Sequence, residues 1–94
     1  MYVLRFLDSF KPTYTAIVKG DQEKRTKKAL NFLRQEPFYP SLKSHKVNTR
    51  SFGERWSSWI SGDLRIIWDF DPEEKMRIII FEIATHTGAN QEYK

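Results

Sequence analysis

The C-terminal half of the chain constrains the fold most. Three stretches rich in tryptophan, isoleucine and phenylalanine, Trp56 to Ile60, Leu64 to Phe70 and Met76 to Ala84, are separated only by Ser61-Gly62-Asp63 and by Asp71-Pro72-Glu73-Glu74-Lys75. Such short connections of turn residues join antiparallel neighbours, because a parallel crossover needs about a dozen residues or more. A three-stranded meander is expected here.

The upstream half changes period. Residues 2–7 alternate Tyr2, Leu4 and Phe6 with Val3, Arg5 and Leu7 and read as a strand. Asp8 or Ser9 can cap a following helix in which Pro12 sits early and Phe10, Tyr14, Ile17 and Val18 recur at helical spacing. Gly20 ends that helix and Asp21 caps a second one, whose core side carries Ala29, Leu30, Phe32 and Leu33. Pro37 and Pro40 stop the helical section. From Tyr39 to Gly53 no period is sustained, and this stretch reads as an irregular basic loop with Lys43, His45, Lys46 and Arg50. The predicted architecture is α+β in the order β-α-α-β-β-β, with two N-terminal helices on one face of a small, mainly antiparallel four-stranded sheet. The other face is expected to be open and concave, rimmed by the basic loop and the polar tail after Ala84. No repeat or internal linker divides the chain, so residues 1–94 read as one domain.

Composition narrows the chemistry. Among 94 residues there is no cysteine, which removes disulfides, thiolate zinc sites, iron–sulfur clusters and cysteine nucleophiles, and suits a reducing cytoplasm. The longest apolar run, Ile78 to Phe81, is too short to span a bilayer, and no secretion pattern opens the chain, so a soluble cytoplasmic protein with no membrane partner is expected. Sixteen Lys and Arg against 12 Asp and Glu leave +4, which favours anionic partners without choosing among them. No phosphate-binding loop, dinucleotide fingerprint, nucleophile elbow or paired-histidine motif is present. His45 and His86 are too few and too isolated to predict a metal site, and no cofactor is expected.

Polar groups at strand ends remain. In an antiparallel hairpin the start of one strand lies beside the end of the next, so Arg65 and His86 should be neighbours with Asp63 close to both. That set suits metal-independent RNA cleavage: a base takes the 2′-hydroxyl proton, the oxygen attacks the adjacent phosphorus, and an acid protonates the departing 5′ oxygen. Histidine titrates near working pH, and arginine can grip the phosphate with two donors. Each residue also has an ordinary structural reading: Asp63 as a turn former, Arg65 as the ion-pair partner of an acid such as Glu82, and His86 as a solvated loop residue. The Lys24 to Lys28 cluster reads as a solvated helix face, and Trp56, Trp59 and Trp68 as core before base-stacking platforms. The basic group on the loop has the better claim to phosphate contact.

Two strings together with the element order resemble the RelE/ParE superfamily of toxins from bacterial type II toxin–antitoxin systems. Residues 56–68, Trp-Ser-Ser-Trp-Ile-Ser-Gly-Asp-Leu-Arg-Ile-Ile-Trp, are similar to the family's tryptophan, short strand, turn and Asp-Leu-Arg entry into an apolar strand. Residues 80–86, Ile-Phe-Glu-Ile-Ala-Thr-His, resemble its last strand, and Pro40-Ser41-Leu42-Lys43 resembles the segment before the second strand. The resemblance implies a toxin that cleaves messenger RNA at the ribosome without metal and is neutralised by a cognate antitoxin. On this resemblance His86 matches the catalytic histidine, Arg65 the arginine that holds the scissile phosphate, and Asp63 an acidic position used by some members. Lys43, His45 and Lys46 match basic positions for phosphate or ribosomal RNA contact, and Tyr93 matches a C-terminal aromatic, with a longer spacing from His86 than is usual. Where many members carry arginines in the second strand this chain has Ser57, Ser58 and Trp59, so Arg55 or Arg77 stands as the substitute. The same resemblance leaves two alternatives: a ParE-like inhibitor of DNA gyrase, and an inactive member that only binds its antitoxin.

Overall fold

A computed structural model describes residues 1–85. The elements run β1 (Val3–Phe6), α1 (Phe10–Ile17), α2 (Asp21–Gln35), a 3₁₀ turn (Pro40–Leu42), β2 (His45–Thr49), β3 (Gly53–Ser61), β4 (Leu64–Phe70) and β5 (Arg77–Thr85). The strands form a single sheet in the order β1-β5-β4-β3-β2, with β1 parallel to β5 and every other pair antiparallel. The α+β class, the two helices and the meander agree with expectation. The strand count is corrected from four to five: His45–Thr49, expected as irregular loop, is an edge strand paired with β3. Its sequence, His-Lys-Val-Asn-Thr, has one large apolar residue, because an edge strand bordering solvent uses charge to deter further pairing and so shows no alternation.

The helices cover one face. Even-numbered residues of β4 point toward them, and Leu33, Leu42, Ile66, Trp68, Ile78, Ile80 and Ile83 are fully or almost fully buried there. A buried indole needs an acceptor. Trp68 Nε1 donates to Ser58 Oγ at 2.7 Å, that hydroxyl lies 2.6 Å from Ser44 Oγ, and Ser44 Oγ donates to the Pro37 carbonyl at 2.7 Å. The serine at position 58 therefore serves the core and ties the entry to β2 against the sheet.

β5 carries a bulge between its pairings with Ile67 and Trp68, and α1 takes up its backbone groups. Ser9 Oγ donates to the Phe81 carbonyl at 2.6 Å, and the Ile83 N–H donates to Thr13 Oγ1 at 2.9 Å. Ser9 thus anchors α1 instead of capping it with its side chain. The cap of α2 is Gly20, at a left-handed φ of 54°, while Asp21 is the first helical residue and stands with Glu23 where the helix dipole favours negative charge.

The face away from the helices is less open than expected. Ile67, Phe81 and Ala84 are buried in a second cluster with Leu7, Val47, Phe52 and Ile79. The turn after β2 lays Phe52 against Phe81, ring centroids 4.9 Å apart, and holds it with a hydrogen bond from the Phe52 N–H to Thr49 Oγ1 at 3.0 Å.

Candidate nucleic-acid interface at the β3–β4 turn

Arg65, the second residue of β4, stands opposite Trp59 on β3 and Ala84 on β5, so these three side chains share the face away from the helices. The guanidinium folds back over the turn. Its Nη1 donates to the carbonyls of Gly62 at 2.8 Å and Leu64 at 2.9 Å, with Ser61 at 3.5 Å. Among the described residues no carboxylate pairs with it, and its Nε and Nη2 edge, the fork that suits two phosphate oxygens, makes no hydrogen bond. Arg65 is therefore a half-buried cation anchored by neutral carbonyls, with its charge uncompensated by them. The structural pairing with Glu82 is not made by Arg65: Glu82 stands opposite Ile67, one alternation further along the strand.

Trp59 is half-buried, and Lys43 Nζ lies 5.4 Å from the centroid of its ring. Lys43 reaches it from a left-handed residue, φ 48°, that ends the 3₁₀ turn. His45 opposes Ser57 and so shares the Arg65 face, with its Nδ1 2.8 Å from the Lys43 carbonyl oxygen. Asp63 is exposed in the turn itself, after Gly62. Arg65, Trp59, Lys43, His45 and Asp63 thus occupy one end of the sheet. His86 and Tyr93 lie outside the described residues, and Thr85, the last of these, opposes Leu64 beside Arg65.

The other basic positions do not join this group. Lys46 opposes Trp56 on the helix-covered face, its Nζ 5.1 Å from the Trp56 ring centroid, because the register of β2 turns successive residues to opposite sides. Arg50 sits in the β2–β3 turn, at the far end of β3 from Trp59. Arg55 is on the Arg65 face, but its Nη1 is paired with Asp69 Oδ2 at 2.9 Å, its Nε donates to the Phe52 carbonyl, and its guanidinium lies 4.7 Å from the Phe81 ring centroid. Arg77 opens β5, eight residues or roughly 26 Å of extended chain from Thr85, and is held by Asp71 Oδ2 at 2.8 Å. The N–H of Glu73 and the Arg77 guanidinium hold the Asp71 carboxyl below the usual carboxylate range. Neither Arg55 nor Arg77 is positioned to replace a phosphate contact in the Trp59 stretch, since each is already matched with an acid.

Two residues matter more than their sequence pattern suggests. Trp59 reads as core by composition, yet of the three tryptophans it is the one beside Arg65; Trp68 is fully buried and Trp56 stacks on it at 5.8 Å. Glu82 is 5% exposed on the Arg65 face, and its signal in the sequence is a lone acid within Ile-Ile-Ile-Phe-Glu-Ile-Ala. Among the described residues no group of three or more His, Asp or Glu is placed to hold a metal ion, and no helix is long and apolar enough to cross a membrane.

No protein-family model matches the sequence, and no curated protein does. Solved structures do match in fold. A copper-bound mutant toxin from Helicobacter pylori superposes with a TM-score of 0.68 at 17% identity, over 92% of this chain and 96% of that one. The toxin–antitoxin complex RelBE2 from Mycobacterium tuberculosis contains a chain that superposes at 0.58 with 16% identity, over 89% of this chain and 96% of that one. The five-stranded sheet with its two helices is thus a RelE-like fold, similar over nearly its whole length to a toxin and to a chain of a toxin–antitoxin complex.

Proposed function

We propose that this chain is the toxin of a toxin–antitoxin system and acts as a metal-independent endoribonuclease on messenger RNA, at the ribosome, so that translation and growth stop. The observation that carries the reading is Arg65: a sheet-face guanidinium tethered by turn carbonyls, with a two-donor edge unused among the described residues. The similarity of the fold to toxins supports the same reading, and a complex such as RelBE2 supports an antitoxin as protein partner.

In this reading Arg65 holds the scissile phosphate and offsets the negative charge that gathers on its oxygens as the 2′ oxygen attacks. His86 is the general acid or base, and Asp63, exposed in the turn, is the second proton-transfer or orienting group. The 2′-hydroxyl proton goes to the base, the new bond forms from 2′ oxygen to phosphorus, and the bond to the 5′ oxygen breaks as the acid protonates it. Lys43 and His45 steer the flanking backbone.

The test is expression of the wild type beside Arg65→Ala and His86→Ala, with growth curves and sequencing of transcript ends. Growth arrest with new transcript ends from the wild type, lost in both variants, is the expected result. Arrest with intact transcripts and a DNA-damage response overturns the nuclease reading in favour of gyrase inhibition. Absence of arrest overturns the toxin reading.

A further inference from the structure

Two cations of helix α2, Arg25 and Lys28, border a cavity of about 520 Å³ between α2, the 3₁₀ turn and the end of β3, so this side of the helix is more than a solvated face. The cavity lies beyond the end of β2: its pairing with β3 ends at His45 opposite Ser57, and Trp59 and Ile60 of β3 line the cavity there. Arg25, Lys28 and Phe32 line it from α2, Tyr39 and Ser41 from the 3₁₀ segment, and Trp59 from β3. No acid is among the lining residues. Among the described residues neither Arg25, Lys28 nor Lys43 has a carboxylate partner.

The aromatic part is preorganised. Phe32 and Tyr39 stack at 4.4 Å with planes 8° apart, Lys28 Nζ is 5.8 Å from the Phe32 ring centroid, and Tyr39 keeps 41% of its surface exposed. An aromatic stack whose outer ring, Tyr39, keeps part of its surface exposed beside cations is chemistry that suits a nucleotide: the base packs on Tyr39, and the phosphates meet the cations. The volume lies in the range of small-ligand sites. Continuity selects RNA over an acidic protein, because Trp59 both borders the cavity and stands directly across from Arg65.

The geometry points to this groove as a subsite for a nucleotide flanking the cleaved bond, so that single-stranded RNA runs from Arg65 past Trp59 and Lys43 onto Tyr39, Lys28 and Arg25. The assignment rests on the RNA reading of the Arg65 site, but a binding measurement separates the two. The probe is a short single-stranded oligoribonucleotide whose 2′-hydroxyls are O-methylated so that none can attack, titrated against the full chain. Variants are Arg25→Glu with Lys28→Glu, Tyr39→Ala, and Arg65→Ala. These groove positions are exposed, so far-ultraviolet circular dichroism serves to confirm folding.

The expected result is an affinity loss of about tenfold or more for the double charge reversal with a shallower salt dependence, and roughly five- to tenfold for Tyr39→Ala. Unchanged oligonucleotide affinity in both groove variants overturns the assignment. The same unchanged affinity combined with lost antitoxin binding gives the groove to an acidic protein segment instead, and overturns it equally. Weakened binding in the groove variants of a chain that cleaves no transcript leaves the groove standing and removes the nuclease reading alone.

Discussion

Arg65 and Arg55 project from the same face of the same sheet, on adjacent strands, and have opposite surroundings. Arg55 is neutralised by Asp69, bonded to the Phe52 carbonyl and laid over Phe81, so its charge and its stem both serve packing. Among the described residues, Arg65 is held by carbonyls of its own turn alone, between a tryptophan and an alanine. An ion pair cancels the field a phosphate would feel, whereas a carbonyl tether orients the guanidinium and leaves most of that field in place. One arginine thus belongs to the scaffold, and the other keeps a two-donor edge unused among the described residues. Nothing in the residue type separates them; the partners do.

The largest effect expected from this contrast is on activity. Arg65→Ala should lower transcript cleavage by about 10²–10³-fold with the thermal midpoint little changed, and Arg65→Lys should restore only part of it, since an ammonium lacks the two-donor fork. A fully active Arg65→Ala protein breaks the comparison at once. Arg55→Ala should do the reverse, leaving cleavage within a fewfold of wild type and costing ~1 kcal/mol in a urea titration, as befits a partly exposed pair with added ring contact.

A sharper form of the contrast removes the acid and keeps the arginine. Asp69→Asn should release the Arg55 charge and strengthen binding of a single-stranded oligonucleotide by about two- to threefold at low salt, an increase that disappears at high salt. Equal affinity at both salt concentrations would show that neutralisation by Asp69 is not what keeps Arg55 out of the interface.

The smallest effect belongs to the remote pair. The Asp71 carboxyl is held below the usual range by the Glu73 N–H and by Arg77, so its folded value lies beneath its unfolded one. Its stabilisation is present above the ordinary carboxylate value of about 4 and is lost as pH falls through the lower folded value. Urea midpoints of wild type and Asp71→Asn should differ at neutral pH and converge on acidification, with cleavage at pH 7 unaffected. A constant gap across that range would mean that the carboxylate's ionisation contributes nothing.

How far these distinctions are legible in the sequence varies by element. The meander is plain because its strands are long, apolar and joined by turn residues, and Arg65 can be placed at a strand start from that pattern alone. β2 is not, because Val47 is the one large apolar residue in it and an edge strand needs no more. Without that strand its register is hidden too, and with it the separation of His45, on the Arg65 face, from Lys46, over Trp56 on the other. The serines at 57 and 58, which stand where arginines are expected, are both fully buried, and Ser58 carries the Trp68 hydrogen bond that no local pattern announces.

Local spacing and turn chemistry determined the class of fold, the number of helices and the antiparallel C-terminal strands, since each depends on residues a few positions apart. Only the assembled sheet decided which cations stand together and which are cancelled. Asp69 lies fourteen residues from Arg55, and the β2 edge is brought to β3 by long-range pairing, so the charge on each face depends on register and partner contacts that are made after the chain has closed on itself.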